Sequence, residues 1–135
     1  MTTPPISSRE WLEADGFGGF ASGTATGIRT RRYHALLLTA TTPPTGRMVL
    51  VNGFDAWIET PKGRFALTSQ RYAPDVIHPD GAQRIEDFSV EPWPKWLFKF
   101  EDGTELTQEI FVAGEAGVTA LTWRLTREAK SVRLY

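Results

Sequence analysis

From residue 95 to residue 125 apolar and polar side chains alternate with a period of two. Trp96, Phe98 and Phe100 alternate with Lys95, Leu97 and Lys99. Leu106, Ile110 and Val112 resume the period after Glu101-Asp102-Gly103-Thr104, which reads as a turn, and Glu105 and Glu109 fall on the opposite, polar face. Thr119, Leu121, Trp123 and Leu125 continue it after a second turn at residues 114–117. A period of two places alternate residues on opposite faces of an extended chain, so this third of the molecule reads as an antiparallel meander with one buried face. Five Trp, eight Phe and three Tyr supply the large apolar surface that such a face must bury.

The rest of the chain carries the same signals more weakly. Gly16, Gly18, Gly19, Gly23 and Gly27 crowd residues 9–30. Each interior glycine costs a helix about 1 kcal/mol relative to Ala, so tight loops and a strand over residues 20–26 are expected. A short helix over residues 9–14 fits the local sequence. Further strands are expected over residues 33–39, 48–51, 54–59, 64–68 and 83–90. Thr60-Pro61-Lys62-Gly63 reads as a hairpin turn, and residues 75–81, with one proline and a glycine, as a loop. After a turn over residues 127–130, Val132 and Leu134 start a new alternation against Arg133 and Tyr135. The expected fold is all-β, an antiparallel β-sandwich. A flexible tail spans 1–10 and the sandwich domain 11–135. The alternation still running at Tyr135 reads either as a short edge strand or as a sheet that continues beyond the chain.

Composition removes several function classes. The formal net charge is -1, which disfavours nucleic acid or an anionic membrane as the main partner. No apolar run is long enough to span a bilayer, and the first ten residues lack a secretory signal pattern. There is no cysteine, hence no disulfide and no thiolate ligand or nucleophile. A cytoplasmic location is the expectation. His34 and His78 do not form a spaced metal-ligand cluster, so neither a metal nor another cofactor is expected. Glycosidase chemistry needs two carboxyl groups facing each other about 5–10 Å apart. Glu86-Asp87, Glu101-Asp102 and Glu105/Glu109 are ordinary turn or polar-face positions, and we assign no catalytic residue.

The candidate site residues are of three kinds. Gly16-Phe17-Gly18-Gly19-Phe20-Ala21 has the form of a dinucleotide fingerprint but lacks the preceding buried strand and the following helix. Asp15 then either accepts N–H bonds within a turn or faces a sugar hydroxyl, beside Gly16, Gly18 and Gly19. Arg31, Arg32, Tyr33 and His34 form a compact group. In a strand Arg31 would share a face with Tyr33, and Arg32 with His34. A structural ion pair, within the domain or across to a neighbour, competes with sugar contact for these arginines. Among the tryptophans, Trp96 and Trp123 lie in the core alternation. Trp11, Trp57 and Trp93 remain as candidates for stacking on sugar, with Trp11 and Trp93 expected to be the more exposed.

The segment Trp11-Leu12-Glu13-Ala14-Asp15-Gly16-Phe17-Gly18-Gly19-Phe20-Ala21-Ser22-Gly23-Thr24, then Gly27, then Thr30-Arg31-Arg32-Tyr33-His34-Ala35-Leu36-Leu37, closely resembles the opening of bacterial and archaeal type glycogen debranching enzymes, the amylo-α-1,6-glucosidase family. The resemblance covers mainly residues 11–59. Ala14-Asp15 stands where the family commonly has Thr-Asn, Phe20 where it has Tyr, and Ala35 where it has Gly. The resemblance implies a large supersandwich-like N-terminal domain that precedes a catalytic (α/α)6 barrel acting on branched α-glucan. By that likeness the barrel is the partner, this chain alone is inactive, and the residues 16–27 and 30–34 lie near the substrate cleft. The competing readings are a free-standing carbohydrate-binding module and a structural or assembly domain without ligand. Exposed sheet edges would let an isolated piece self-associate.

Overall fold

A computed structural model of the chain describes residues 5–114, 117–127 and 131–135. The expected turns at 114–117 and 127–130 therefore lie partly outside the described residues, as does the start of the tail. The described residues form an all-β, sandwich-like arrangement of open antiparallel sheets.

The first sheet is a four-stranded meander, β1 (Glu10–Ala14), β2 (Phe20–Thr24), β3 (Ala35–Thr42) and β4 (Thr45–Val51), in that spatial order. The second is β9 (Ile85–Ser89), β10 (Lys95–Lys99), β11 (Glu105–Val112) and β12 (Thr119–Leu125), also in sequential order. Between them in sequence lie β5 (Trp57–Thr60), β6 (Gly63–Ala66), β7 (Gln70–Tyr72) and β8 (Val76–His78). A last strand, β13 (Arg133–Leu134), pairs with β5 and makes a three-stranded sheet of order β13-β5-β6.

The period-two pattern becomes packing in the second meander. Trp96, Phe98 and Phe100 are buried, as are Leu106 and Ile110. They meet Trp11 and Ala21 from the first sheet and Ile58 and Leu67 from the middle segment in one core. Two aromatic contacts and one hydrogen bond of Trp96 set the spacing. Trp96 meets Trp11 edge-on at 5.9 Å, lies 5.0 Å from Phe88, and donates from Nε1 to the Ala25 carbonyl at 2.6 Å. That bond ties β10 to the segment leaving β2, so a single side chain links both sheets. Gln108 lies on the same face as Leu106 and Ile110 and is buried to 5 % exposure. It is tolerated there because its Oε1 accepts the Trp123 indole N–H at 2.9 Å. Trp123 is half-buried and Leu125 exposed on β12, the edge strand of its sheet.

Several expectations change. Residues 9–14 are not a helix. Glu10–Ala14 is a strand whose Trp11 turns inward and Leu12 outward, in register with Gly23 and Ser22. The loop expected at 75–81 contains β8, which pairs with β7 between Pro74 and Pro79. All three residues of β8 are exposed, so no alternation marks it in the sequence. β3 begins at Ala35, leaving Tyr33 and His34 in a turn closed by His34 N–H to the Arg31 carbonyl at 3.2 Å. The strand-like pairing of Arg31 with Tyr33 and of Arg32 with His34 is therefore not formed. At the N-terminal end, Ile6 packs against the core and Arg9 donates to the Phe88 carbonyl at 2.6 Å, immediately before β1.

Candidate functional site

The Asp15 loop and the 31–34 residues separate along the β1–β2 hairpin, the first at its turn, the second over the stretch from Ser22 to the open end where Glu10 pairs with Thr24.

At one end the chain turns from β1 into β2. Asp15 is 6 % exposed, and its Oδ1 accepts the N–H of Phe17 at 2.7 Å and of Gly19 at 3.0 Å. Its own N–H donates to the Gly19 carbonyl at 3.1 Å. Gly16 and Gly18 supply the positive φ angles of +83° and +93° that close the loop. The Gly18 backbone lies directly against that of Pro44, between β3 and β4, and the Arg47 guanidinium donates to its carbonyl at 2.8 Å. This loop is a backbone device: the Asp15 oxygen that holds it together is turned inward.

At the other end the segment from Thr26 to His34 folds back over the outer face of β2. Thr24 donates to the Ile28 carbonyl at 2.7 Å and Ser22 to the Tyr33 carbonyl at 3.1 Å. His34 is the hub. Its Nδ1 accepts the backbone N–H of Thr30 at 3.1 Å and of Arg31 at 3.2 Å, while its carbonyl accepts Arg29 Nε at 2.7 Å. An Nδ1 that accepts two backbone donors carries no proton, so the proton sits on Nε2, which faces Glu10 Oε1 at 3.1 Å. Glu10 is also gripped by Arg31, through Nε at 2.5 Å and Nη2 at 3.0 Å. The ion pair foreseen for the arginines thus exists within the domain, at Arg31. Its partner, Glu10, was not singled out from the sequence.

The charges follow from this geometry. The Arg31 hydrogen bonds hold the Glu10 carboxyl below its ordinary range, with His34 adding to the effect, and Glu10 in turn raises Arg31. Burial pushes the His34 imidazole below 6.5, against the pull of Glu10, and protonation would also displace the two N–H donors at Nδ1. The unfolded chain therefore takes up a proton near pH 6.5 that the folded chain refuses. Stability is accordingly expected to be full above that pH and to fall as pH drops below about 6.5. His34→Ala leaves the Thr30 and Arg31 N–H groups without their acceptor and is expected to cost about 1–3 kcal/mol at pH 7.5. It should also flatten the dependence between pH 6.5 and 5.5. Urea unfolding of both proteins across that interval checks both effects, and an unchanged slope would contradict the assigned role.

Between the 31–34 turn and the outer face of β1 and β2 lies an open cleft of ≈ 430 Å³, lined by Glu10, Trp11, Leu12, Phe20, Ser22 and residues 31–34. Tyr33 and Leu12 are exposed on it, and Arg32 stacks over the Tyr33 ring at 5.5 Å. Arg31, Arg32, Tyr33 and His34 are thus brought together on one cleft. Asp15, Gly16, Gly18 and Gly19 do not line it. Leu12 and Phe20, which do, were missed. Their signal was the period of two in β1 and β2, legible only once residues 10–14 are taken as strand.

The three tryptophan candidates part company as well. Trp11, expected on the surface, is 8 % exposed although it borders the cleft, and its Nε1 has no hydrogen-bond partner among the described residues. Trp93 is half-buried, packs on Phe111 at 5.1 Å and donates to Glu109 at 3.3 Å. Trp57, also half-buried, sits where β5 exchanges backbone bonds with Tyr135. Neither Trp57 nor Trp93 borders the cleft. Among the described residues no group of three His, Asp or Glu side chains is placed to hold a metal ion, and no helix is long and apolar enough to cross a membrane.

Fold and cleft together define an all-β domain that presents a rigid, partly apolar cleft on the outside of one sheet. Neither the curated proteins nor the solved structures gave a match. Residues 9–135 match the family described as glycogen debranching enzyme N terminal, and the chain belongs to that family.

Proposed function

We propose that this chain acts as the non-catalytic N-terminal domain of a cytoplasmic glycogen debranching enzyme. In this reading it shapes the substrate cleft in which a separate (α/α)6 barrel hydrolyses α-1,6 branch linkages of a glycogen-like α-glucan. The observation that carries the reading is the family match over residues 9–135. Two features support it. The segment that resembles debranching enzymes forms stiff surface loops, each held by side-chain bonds to its own backbone, as suits groups that position a substrate or a neighbouring domain. The carboxylates that meet those loops are committed to structure, Asp15 to the loop N–H groups and Glu10, on β1, to Arg31. The Asp15 loop docks on the β3–β4 hairpin and is assigned to scaffolding, and the 31–34 turn to the cleft.

The test is reconstitution. The barrel domain of a debranching enzyme is assayed for glucose release from a branched limit dextrin, alone, with this chain added, and joined to it. The chain alone is expected to release no glucose and to raise the rate of the barrel. Glucose release by the chain alone, or a barrel rate that the chain leaves unchanged in both formats, would overturn the proposal.

A further inference from the structure

We infer that Asn52 is a site of spontaneous covalent modification, where the Gly53 nitrogen closes on the Asn52 side chain to form a succinimide that water opens to isoaspartate and aspartate. The chemistry belongs to this chain's own backbone and is independent of what the domain binds.

Asn52 is the only asparagine in the chain, and a glycine follows it. The pair stands after β4 and before β5, outside the strand ladders, and both residues are exposed. Among the described residues neither the Asn52 amide nor the Gly53 N–H has a hydrogen-bond partner. A glycine carries no Cβ to hold its nitrogen away from the preceding side chain. Solvent base takes the Gly53 N–H proton, and the nitrogen attacks Cγ of Asn52. The Cγ–Nδ2 bond breaks, and the amide nitrogen leaves as ammonia with a proton from solvent. Water then opens the ring. Attack at the main-chain carbonyl leaves the peptide running through Cγ, which is isoaspartate, and attack at Cγ gives aspartate.

Asp15-Gly16, Asp80-Gly81 and Asp102-Gly103 have the same local form and can close the same ring. The fold restrains each of them. Asp15 is buried, and its Oδ1 is taken by the N–H groups of Phe17 and Gly19. Asp80 is held by two bonds from Arg84, and the Gly81 N–H donates to the Thr68 carbonyl at 3.0 Å. Asp102 accepts from the Thr60 hydroxyl and the Thr104 N–H, and the Gly103 N–H donates to the Phe100 carbonyl at 3.0 Å. Groups committed in this way must give up their bonds before the ring can close. The fold thus leaves Asn52-Gly53 open to the reaction and closes the others.

The product adds a negative charge to a chain of formal net charge -1. The charge falls on the wall of a ≈ 70 Å³ cavity between the two meanders, which Asn52 and Gly53 share with Arg29 and Phe54. Isoaspartate also lengthens the main chain by a methylene two residues before Phe54, which packs edge-on against Trp123 at 5.9 Å. The change therefore reaches the contact between the β4–β5 link and β12.

The test incubates the whole folded chain in mildly alkaline buffer. Its peptides are then mapped by mass and by enzymatic methylation of isoaspartyl carboxyls. The mass gain of an amide replaced by a carboxyl is expected on the Asn52 peptide, with isoaspartate the larger product. Its rate should rise with pH, because the Gly53 nitrogen must lose its proton. Gly53→Ala should slow the reaction about tenfold or more, since a Cβ hinders ring closure. Asn52→Gln, whose ring would need an extra atom, should abolish it. In urea, isoaspartate should appear at Asp15, Asp80 and Asp102 as well. A folded chain that gains no mass at Asn52, while a synthetic peptide of residues 49–57 converts, overturns the inference. So does isoaspartate forming at Asp15, Asp80 or Asp102 of the folded chain as fast as at Asn52, or a rate that Gly53→Ala leaves unchanged.

Discussion

Trp96→Ala is expected to lower the unfolding free energy by about 3–5 kcal/mol, a large part of the about 5–15 kcal/mol that holds a domain together. The indole is 3 % exposed and fills the space between the two meanders. Its removal deletes the edge-on contact with Trp11, the contact with Phe88 and the 2.6 Å bond that satisfies the Ala25 carbonyl. That carbonyl is then buried without its donor, which adds to the cavity term. Trp96→Phe restores most of the volume but not the N–H and should recover only part of the loss. Urea unfolding followed by near-ultraviolet circular dichroism measures both variants. A loss below about 1 kcal/mol for Trp96→Ala would mean that the sheets are not coupled through this residue.

Gly19→Ala is expected to destabilise the chain by about 1–3 kcal/mol by overpacking, although a methyl group is the smallest side chain that can be added. The new Cβ would collide with Asp15 Oδ2 and stand 2.6 Å from the Leu38 carbonyl oxygen. Leu38 belongs to β3 and is fixed by its pairing with β2 and β4, so that oxygen has little freedom to retreat. Relief must come from the Asp15 side, breaking the bonds from Phe17 and Gly19 that close the loop. Hydrogen exchange at the Phe17 and Gly19 amides should accelerate in the same variant. Gly53→Ala, where nothing lies within 4 Å of the added atom, is the matched control and should leave stability nearly unchanged. Equal effects at both positions would remove the steric explanation.

These two expectations differ in how visible their causes are in the sequence. Trp96 announces itself through the alternation with Phe98 and Phe100. Gly19 is one of several glycines in a run, and only the fold shows that a β3 carbonyl approaches it. The separation of the Asp15 loop from the 31–34 turn was equally hidden. The two segments are adjacent in the chain and share one family-like block. Yet β1 and β2 carry the Asp15 loop to one end of a hairpin and leave the arginines at the other.

The sequence by itself determined that this protein is built of antiparallel strands, and it determined the face that the second meander buries. Alternation is a local property: each residue's side follows from its neighbour's, whatever the rest of the chain does. It also marked the block that gives the family, and it marked Arg31, Arg32, Tyr33 and His34 as a group. Only the tertiary structure decided that residues 10–14 are a strand, that β13 pairs with β5, and that Glu10 meets both Arg31 and His34. A five-residue segment with one Trp and one Leu carries too little pattern to choose between helix and strand, and its choice was made by β2 alongside it. The partner of an ion pair is chosen by which strands lie next to each other. Glu10 and Arg31 stand 21 residues apart in the chain, and the folding of the 26–34 segment over β2 brings them within hydrogen-bonding distance.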